Sequence, residues 1–352
     1  METFFGRHRE ALAAFSRMSG AVGRRADYVQ GGGGNTSVKL EGGDMAIKAS
    51  GFHLLDVQPD AGYAVLDGAR LRAFYLSHEP GDFGDAEAAG AREARDATRA
   101  VDGLLPLRPS VEAGFHSLLS RFVAHSHSVY GNLAACCREA EAVAREALAG
   151  APYSFALTPY VNPGALLTFT IRDAARRVER ETGKAPAVLL MRSHGLIAHA
   201  DGAEDCLALH EDANARFQRF FGVKPSDFPQ PQIRKTPEGF VSDTPWLWER
   251  LKGGRYPDSR LLGEPLYPDQ MVFFRGTLGE SARVDRNSGK VSYQTPLKAA
   301  QAVEETLCAV VFLLETLEKR GLTPVSMDGA AQDFISGWES EKHRKALAEG
   351  KA

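Results

Sequence analysis

The chain is poor in cysteine, with four in 352 residues, two of them adjacent at Cys136 and Cys137. No CxxC spacing occurs, so neither a disulfide framework nor a thiolate metal site is expected, and the usage suits a reducing compartment, the cytoplasm. Cys206 and Cys308 read as small hydrophobes on helix faces. Long apolar runs are missing too. None approaches the roughly 18 to 20 residues that a membrane span needs. The N-terminal stretch interrupts Phe4, Phe5, Leu12 and Phe15 with charges, which predicts an amphipathic helix and not a signal peptide. Charge of one sign is also absent: 42 basic residues stand against 45 acidic ones, a formal net charge of −3, with no long run of either. That balance speaks against a nucleic-acid or membrane surface and leaves small molecules as the expected partners.

What is present is an ordinary globular composition, 43% hydrophobic and 25% charged, enough for one large core or two smaller ones. GGGGNTSVKL followed by MAIKASG predicts two short strands, SVKL and MAIK, joined by a turn over residues 41–44. Residues 81–99, rich in Ala, Asp, Glu and Arg, read as a polar helix or a mobile insertion. From Ser110 the pattern alternates. Helices are expected at SVEAGFHSLLSRF, NLAACCREAEAVAREAL, ALLTFTIRDAARRVERETG and AEDCLALHEDANARFQRFFG, strands at VAHSHS, PAVLLMRSHG and LIAHA, and a loop at TPYVNPG. These make an α/β layered domain over residues 1–224. A proline-rich linker, KPSDFPQPQIRKTPEG, opens a C-terminal extension over residues 225–352. There, strands are expected at MVFFRG and KVSYQT, an amphipathic helix over residues 296–319 capped by Thr295, and a last helix around FISGWESEKHRKAL.

The chemistry concentrates on histidines. In a strand, residues i and i+2 face the same side, so His125 and His127 of VAHSHSV can aim both imidazoles at one point. Taken alone, the pair fits hydrogen-bonded core histidines equally well. His194 adds a third imidazole, where the apolar strand AVLLMRSHG ends ahead of Gly195. Three neutral nitrogen donors that leave one position open are the catalytic pattern for zinc, with another divalent metal as the alternative.

Glu112 lies in the first turn of the helix begun by Pro109 and Ser110, where a carboxylate can simply complement the helix dipole. That helix runs straight into the HSH strand, so its N-terminus can also lie beside a metal. His116, on the same helical face, is given a structural role. The GGGGN run with TSVK and ASG reads as backbone amides and small hydroxyls that can cradle an anion without fixed positive charge. It is neither a P-loop nor a dinucleotide fingerprint. His8, His53, His78, His199, His210 and His343 have no partner spacing and read as surface or core residues.

In order, GGGGNTSVK, IKASG, PSVE, HSH, TPYVNPG and RSHGL resemble the class II (zinc-dependent) aldolase and adducin family over about residues 5–225. The nearest flavour is that of fuculose- and rhamnulose-1-phosphate aldolases, with LYPDQMVFFRG and WESEKHR loosely similar to a C-terminal stretch of the latter. The resemblance implies a three-layer αβα sandwich around a mostly antiparallel sheet, and a homotetramer with active sites at subunit interfaces. It implies zinc on His125, His127 and His194, with Glu112 as the acid/base. Tyr160 would be donated by a neighbouring subunit, and Gly34, Asn35, Ser50, Gly51 and Ser110 would hold a substrate phosphate. The implied activity is reversible aldol cleavage of a ketose or ketose phosphate through an enediolate that zinc stabilises. The alternatives are an epimerase, dehydratase or decarboxylase of the same superfamily, or a non-catalytic adducin-like interaction module. Two departures stand out: Ser128 replaces the proline common after HxH, and SVE replaces SSE, one hydroxyl fewer for a phosphate.

Overall fold

The computed structural model describes residues 3–337. Its centre is an eight-stranded sheet of β1 (Asn35–Lys39), β2 (Asp44–Lys48), β3 (Tyr63–Asp67), β4 (Thr98–Arg99), β5 (Phe122–Ser126), β6 (Phe155–Thr158), β7 (Val188–Met191) and β8 (Gly195–Ala200). The order is β4-β3-β2-β1-β5-β8-β7-β6, and every pairing is antiparallel except β6 with β7. The central strands are buried on both sides, and their side chains divide by strict alternation. Val188 and Leu190 of β7 join the core under helices Arg9–Gly23, Val129–Ala135 and Ala203–Phe221, while Leu189 and Met191 join a second core under helix Ala165–Thr182. Helices therefore cover both faces, and the fold is the expected αβα sandwich.

Several local expectations shift. Residues 81–99 hold helix Ala86–Asp96 and end in β4. YAVLD and FALT form β3 and β6, two strands not anticipated. The helix expected across residues 132–148 breaks in two, Val129–Ala135 and Ala140–Ala147. Ser128 explains its own place: it caps the first of these, accepting from the Tyr130 amide at 3.3 Å and donating to Asn214 Oδ1 at 2.5 Å. A proline there would offer neither bond.

Beyond residue 224, the linker condenses into β9 (Ile233–Thr236), which turns tightly into β10 (Gly239–Ser242). With β11 (Ala282–Val284) and β12 (Val291–Tyr293) they form a small sheet in the order β11-β12-β10-β9. MVFFRG is not a strand. Its first four residues lie in helix Pro268–Phe274, whose start has proline at the first position and Asp269 in the first turn. A short apolar run buried on all sides carries no period to distinguish the two states. The long helix is Leu297–Lys319, and Pro296, not Thr295, occupies its N-cap with no side-chain bond; Thr295 is one residue too far out to reach the first free amides. From Ala302 to Leu314 it is buried almost all round, packing on the small sheet and on helices Val129–Ala135 and Pro268–Phe274, so it is a core helix more than an amphipathic one. Helix Gly329–Gly337 begins the last expected helix, whose remainder, with WESEKHR and His343, lies outside the described residues. Among the described residues, no helix is long and apolar enough to cross a membrane.

Candidate metal centre

The sheet register brings the first candidate ligand into place. His125 pairs with Asn35 of β1 on one side and Ile197 of β8 on the other, and its ring is fully buried. Strand β5 ends at Ser126, so His127 stands just past the last ladder residue and not within the strand. Its ring still meets that of His125, with centroids 4.9 Å apart. His194 sits in the three-residue turn that joins β7 to β8, not at the carboxyl edge of a parallel sheet. Ser193 carries a left-handed φ of 49° there, and the strained turn carries His194 to centroid distances of 5.1 Å from His125 and 5.3 Å from His127. Gly195 is required beside it, since a Cβ would lie 2.3 Å from the Ser126 carbonyl oxygen.

The three rings form one buried group whose donor atoms all lie within 4.8 Å of one another. Nitrogens about 2.1 Å from a tetrahedral ion lie about 3.4 Å apart. His125 Nε2 and His127 Nε2 are 3.2 Å apart. The tautomers sharpen the fit. His125 Nδ1 donates to the Leu196 carbonyl at 3.1 Å, and burial pushes the His125 pKa down to about 3, so the ring is neutral and Nε2 bears a lone pair. His127 Nδ1 donates to the Asp269 carboxylate, so Nε2 is the nitrogen left to face the other rings. With both Nδ1 atoms engaged, the two Nε2 atoms are the ones that can present lone pairs to one cation. Two more buried atoms lack partners, His194 Nδ1 and Glu112 Oε1. The donor set and these orphaned atoms fit a divalent metal.

Glu112 caps helix Ala113–Leu118 instead of lying in its first turn, because the expected helix starts three residues late. Its Oε1 lies 3.2 Å from His194 Nε2 and its Oε2 lies 3.7 Å from His125 Nε2. Burial opposes ionisation here, but contacts with His125, His194 and His127 outweigh it and hold the carboxyl well below its usual range. Asn35 Nδ2 donates to Oε2 at 2.5 Å and to Ser110 Oγ at 3.2 Å. Asn35 Oδ1 is tied to His116 Nε2, while His116 Nδ1 meets Ser37 Oγ at 2.8 Å. His116 is therefore a buried orienting group, as its position suggested.

The site opens onto a cleft whose volume, the solvent at its mouth included, is about 490 Å³. Gly34, Asn35, Ser50, Gly51, Ser110, Glu112, His127 and His194 all line it. Tyr160 does not; its hydroxyl donates to Asn162 Oδ1 at 3.2 Å within its own loop. Two contributors escaped the sequence reading. Lys48 lines the cleft and donates to the carbonyls of Phe52 at 2.7 Å and Gly32 at 3.3 Å, so a lysine stands among the residues expected to cradle an anion without one. A lysine in the apolar strand MAIK was its only signal. Asp269 stands two residues ahead of MVFFRG, the stretch expected to be a strand.

The model of the family described as "Class II Aldolase and Adducin N-terminal domain" matches residues 13–218, more than half of the chain. Among curated proteins, none matches. Solved structures that resemble the chain include the N-terminal class II aldolase domain of a conserved protein from Thermoplasma acidophilum, 20% identical, covering 62% of this chain and 94% of that one with a TM-score of 0.47. A second is YgbL from Klebsiella pneumoniae, a candidate aldolase/epimerase/decarboxylase, at 14% identity, covering 61% and 90% with a TM-score of 0.42. A third is the L-fuculose-1-phosphate aldolase of Thermus thermophilus, at 17% identity, covering 60% and 94% with a TM-score of 0.36.

Proposed function

The chain belongs to the class II aldolase and adducin family, and from that premise we propose that it is a metal-dependent carbon–carbon lyase that reversibly cleaves a ketose or ketose phosphate. The observation that carries the reading is the convergence of three buried imidazoles, His125, His127 and His194, beside the carboxylate of Glu112. Adducin-like interaction modules have no use for such a donor set. The metal, zinc in this reading, supplies Lewis-acid stabilisation of the charge that develops when a bond beside a carbonyl breaks.

The chain's own groups do the rest. Asn35 fixes one oxygen of Glu112, leaving Oε1 to take the proton of the substrate hydroxyl as the carbon–carbon bond breaks and releases an aldehyde. The electron pair stays on the other fragment as an enediolate, whose carbon takes back the proton that Glu112 holds. Gly34, Asn35, Ser50, Gly51 and Ser110, with Lys48, bind the anionic end of the substrate, and Val111 stands where a further hydroxyl would strengthen a phosphate site. Tyr160 is not among the residues lining its own chain's cleft, which suits a residue donated to a neighbouring copy in a homotetramer; there its hydroxyl relays the same proton, returning it to the aldehyde oxygen in the condensation direction.

Zinc-loaded protein assayed with ketose 1-phosphates, unphosphorylated ketoses and 2-keto-3-deoxy acids is expected to release an aldehyde from one class. Inactivity on all three together with epimerase or dehydratase activity would overturn the lyase reading.

A further inference from the structure

Asp269 lies well past residue 218, where the match to the family model ends, yet its carboxylate contacts one of the three ligand rings. Resting on the metal-site reading above, we propose that the segment after the family domain completes the metal centre, with Asp269 as the positioning residue that holds His127 with Nε2 turned to the ion.

The geometry is specific. Asp269 is completely buried in the first turn of helix Pro268–Phe274 and accepts from His127 Nδ1. A neutral imidazole has one N–H; tying it to a carboxylate fixes the ring's rotation and leaves the lone pair on Nε2, 3.2 Å from that of His125. The carboxylate also makes the ring a stronger donor and offsets part of the cation's charge. His125 has only a backbone carbonyl, that of Leu196, in the equivalent place. Space for the pair is built into the glycine run, because a Cβ on Gly33 would lie 2.4 Å from Asp269 Oδ2 and 2.8 Å from His127 Nδ1.

The segment grips the same loop elsewhere. Tyr267 donates to Gln30 Oε1 at 3.1 Å, Pro268 lines the cleft, and Glu305 accepts from the Gly31 amide at 2.7 Å. The extension is thus a wall of the site and not an appendage.

The test compares zinc affinity, by competition with a chromophoric chelator, for the full-length wild type, Asp269→Asn and Asp269→Glu. Far-UV circular dichroism and melting check the fold, and the visible spectrum of the cobalt-loaded forms reports ligand geometry. Asp269→Asn is expected to bind zinc about 10- to 100-fold more weakly with an altered cobalt spectrum, and Asp269→Glu to recover part of both. Wild-type affinity and an unchanged spectrum in Asp269→Asn would overturn the positioning role while leaving the three-histidine site intact. A wild type that binds no zinc would remove that site as well. Where the variants do not fold, wild-type protein carrying 15N-histidine and 113Cd gives the answer: coupling of the metal to Nε2 of His127 is expected, and coupling to Nδ1 would overturn the proposal.

Discussion

The strands of the αβα layer and the segment beyond residue 224 reach one cleft by different routes. Strands position their groups through backbone ladders: His125 is set by its register against Asn35 and Ile197, and His194 by the turn between β7 and β8. The later segment reaches in from helices: Asp269 from a first turn and Glu305 from the long helix Leu297–Lys319. One part therefore supplies the atoms proposed to face substrate and metal, and the other supplies groups that touch those atoms or the loop between them. A ladder fixes where a ligand is; a buried carboxylate behind it fixes which way it turns.

The difference can be probed residue by residue. Glu112→Gln, within the strand-built part, removes the proposed proton carrier and keeps its shape, so kcat should fall about 10²- to 10⁴-fold while the zinc content holds. An unchanged rate would take Glu112 out of the chemistry. Gly33→Ala acts where the two parts meet. Its Cβ would press on Asp269 and His127, which are buried and cannot retreat, so the variant should lose about 1 to 3 kcal/mol in denaturant unfolding and hold zinc less tightly. Wild-type stability would mean that the close approach is relieved at no cost.

A third test falls on Glu305, in the later segment. Burial, countered in part by the Gly31 amide, raises its carboxyl to about 7. Its ordinary value is 4.5, so between roughly pH 4.5 and 7 the folded chain holds a proton that the unfolded chain has released. Its contribution is complete below pH 4.5 and declines as pH rises through 7, with a slope of at most about 1.4 kcal/mol per pH unit. In Glu305→Gln that part of the decline should vanish from the unfolding free energy between pH 5 and 7.5. An identical pH profile in both proteins would show that the group does not titrate there.

Much of the strand-built part was legible. The HxH spacing in an apolar strand and the His-Gly pair after another are local signals, and the glycine run announced the cradle that lines the cleft. Glu112 could be found, though not its place at the cap. The later segment was much less legible. MVFFRG looks like a strand because an apolar run buried on every side shows no period, and Pro268 followed by Asp269 was the helix signal to weigh against it. No spacing links Asp269 to His127, because their contact is a product of tertiary packing. Lys48 was in view in MAIK, but the burial that points its ammonium at the cradle is a property of the sheet.

The central claim, a metal centre on His125, His127 and His194, is tested most directly by elemental analysis of the purified full-length protein beside its His125→Ala, His127→Ala variant. About one zinc or other divalent ion per wild-type chain, and none in the variant, is the expected result. A folded wild-type protein that carries no metal and takes up none from added zinc would contradict it.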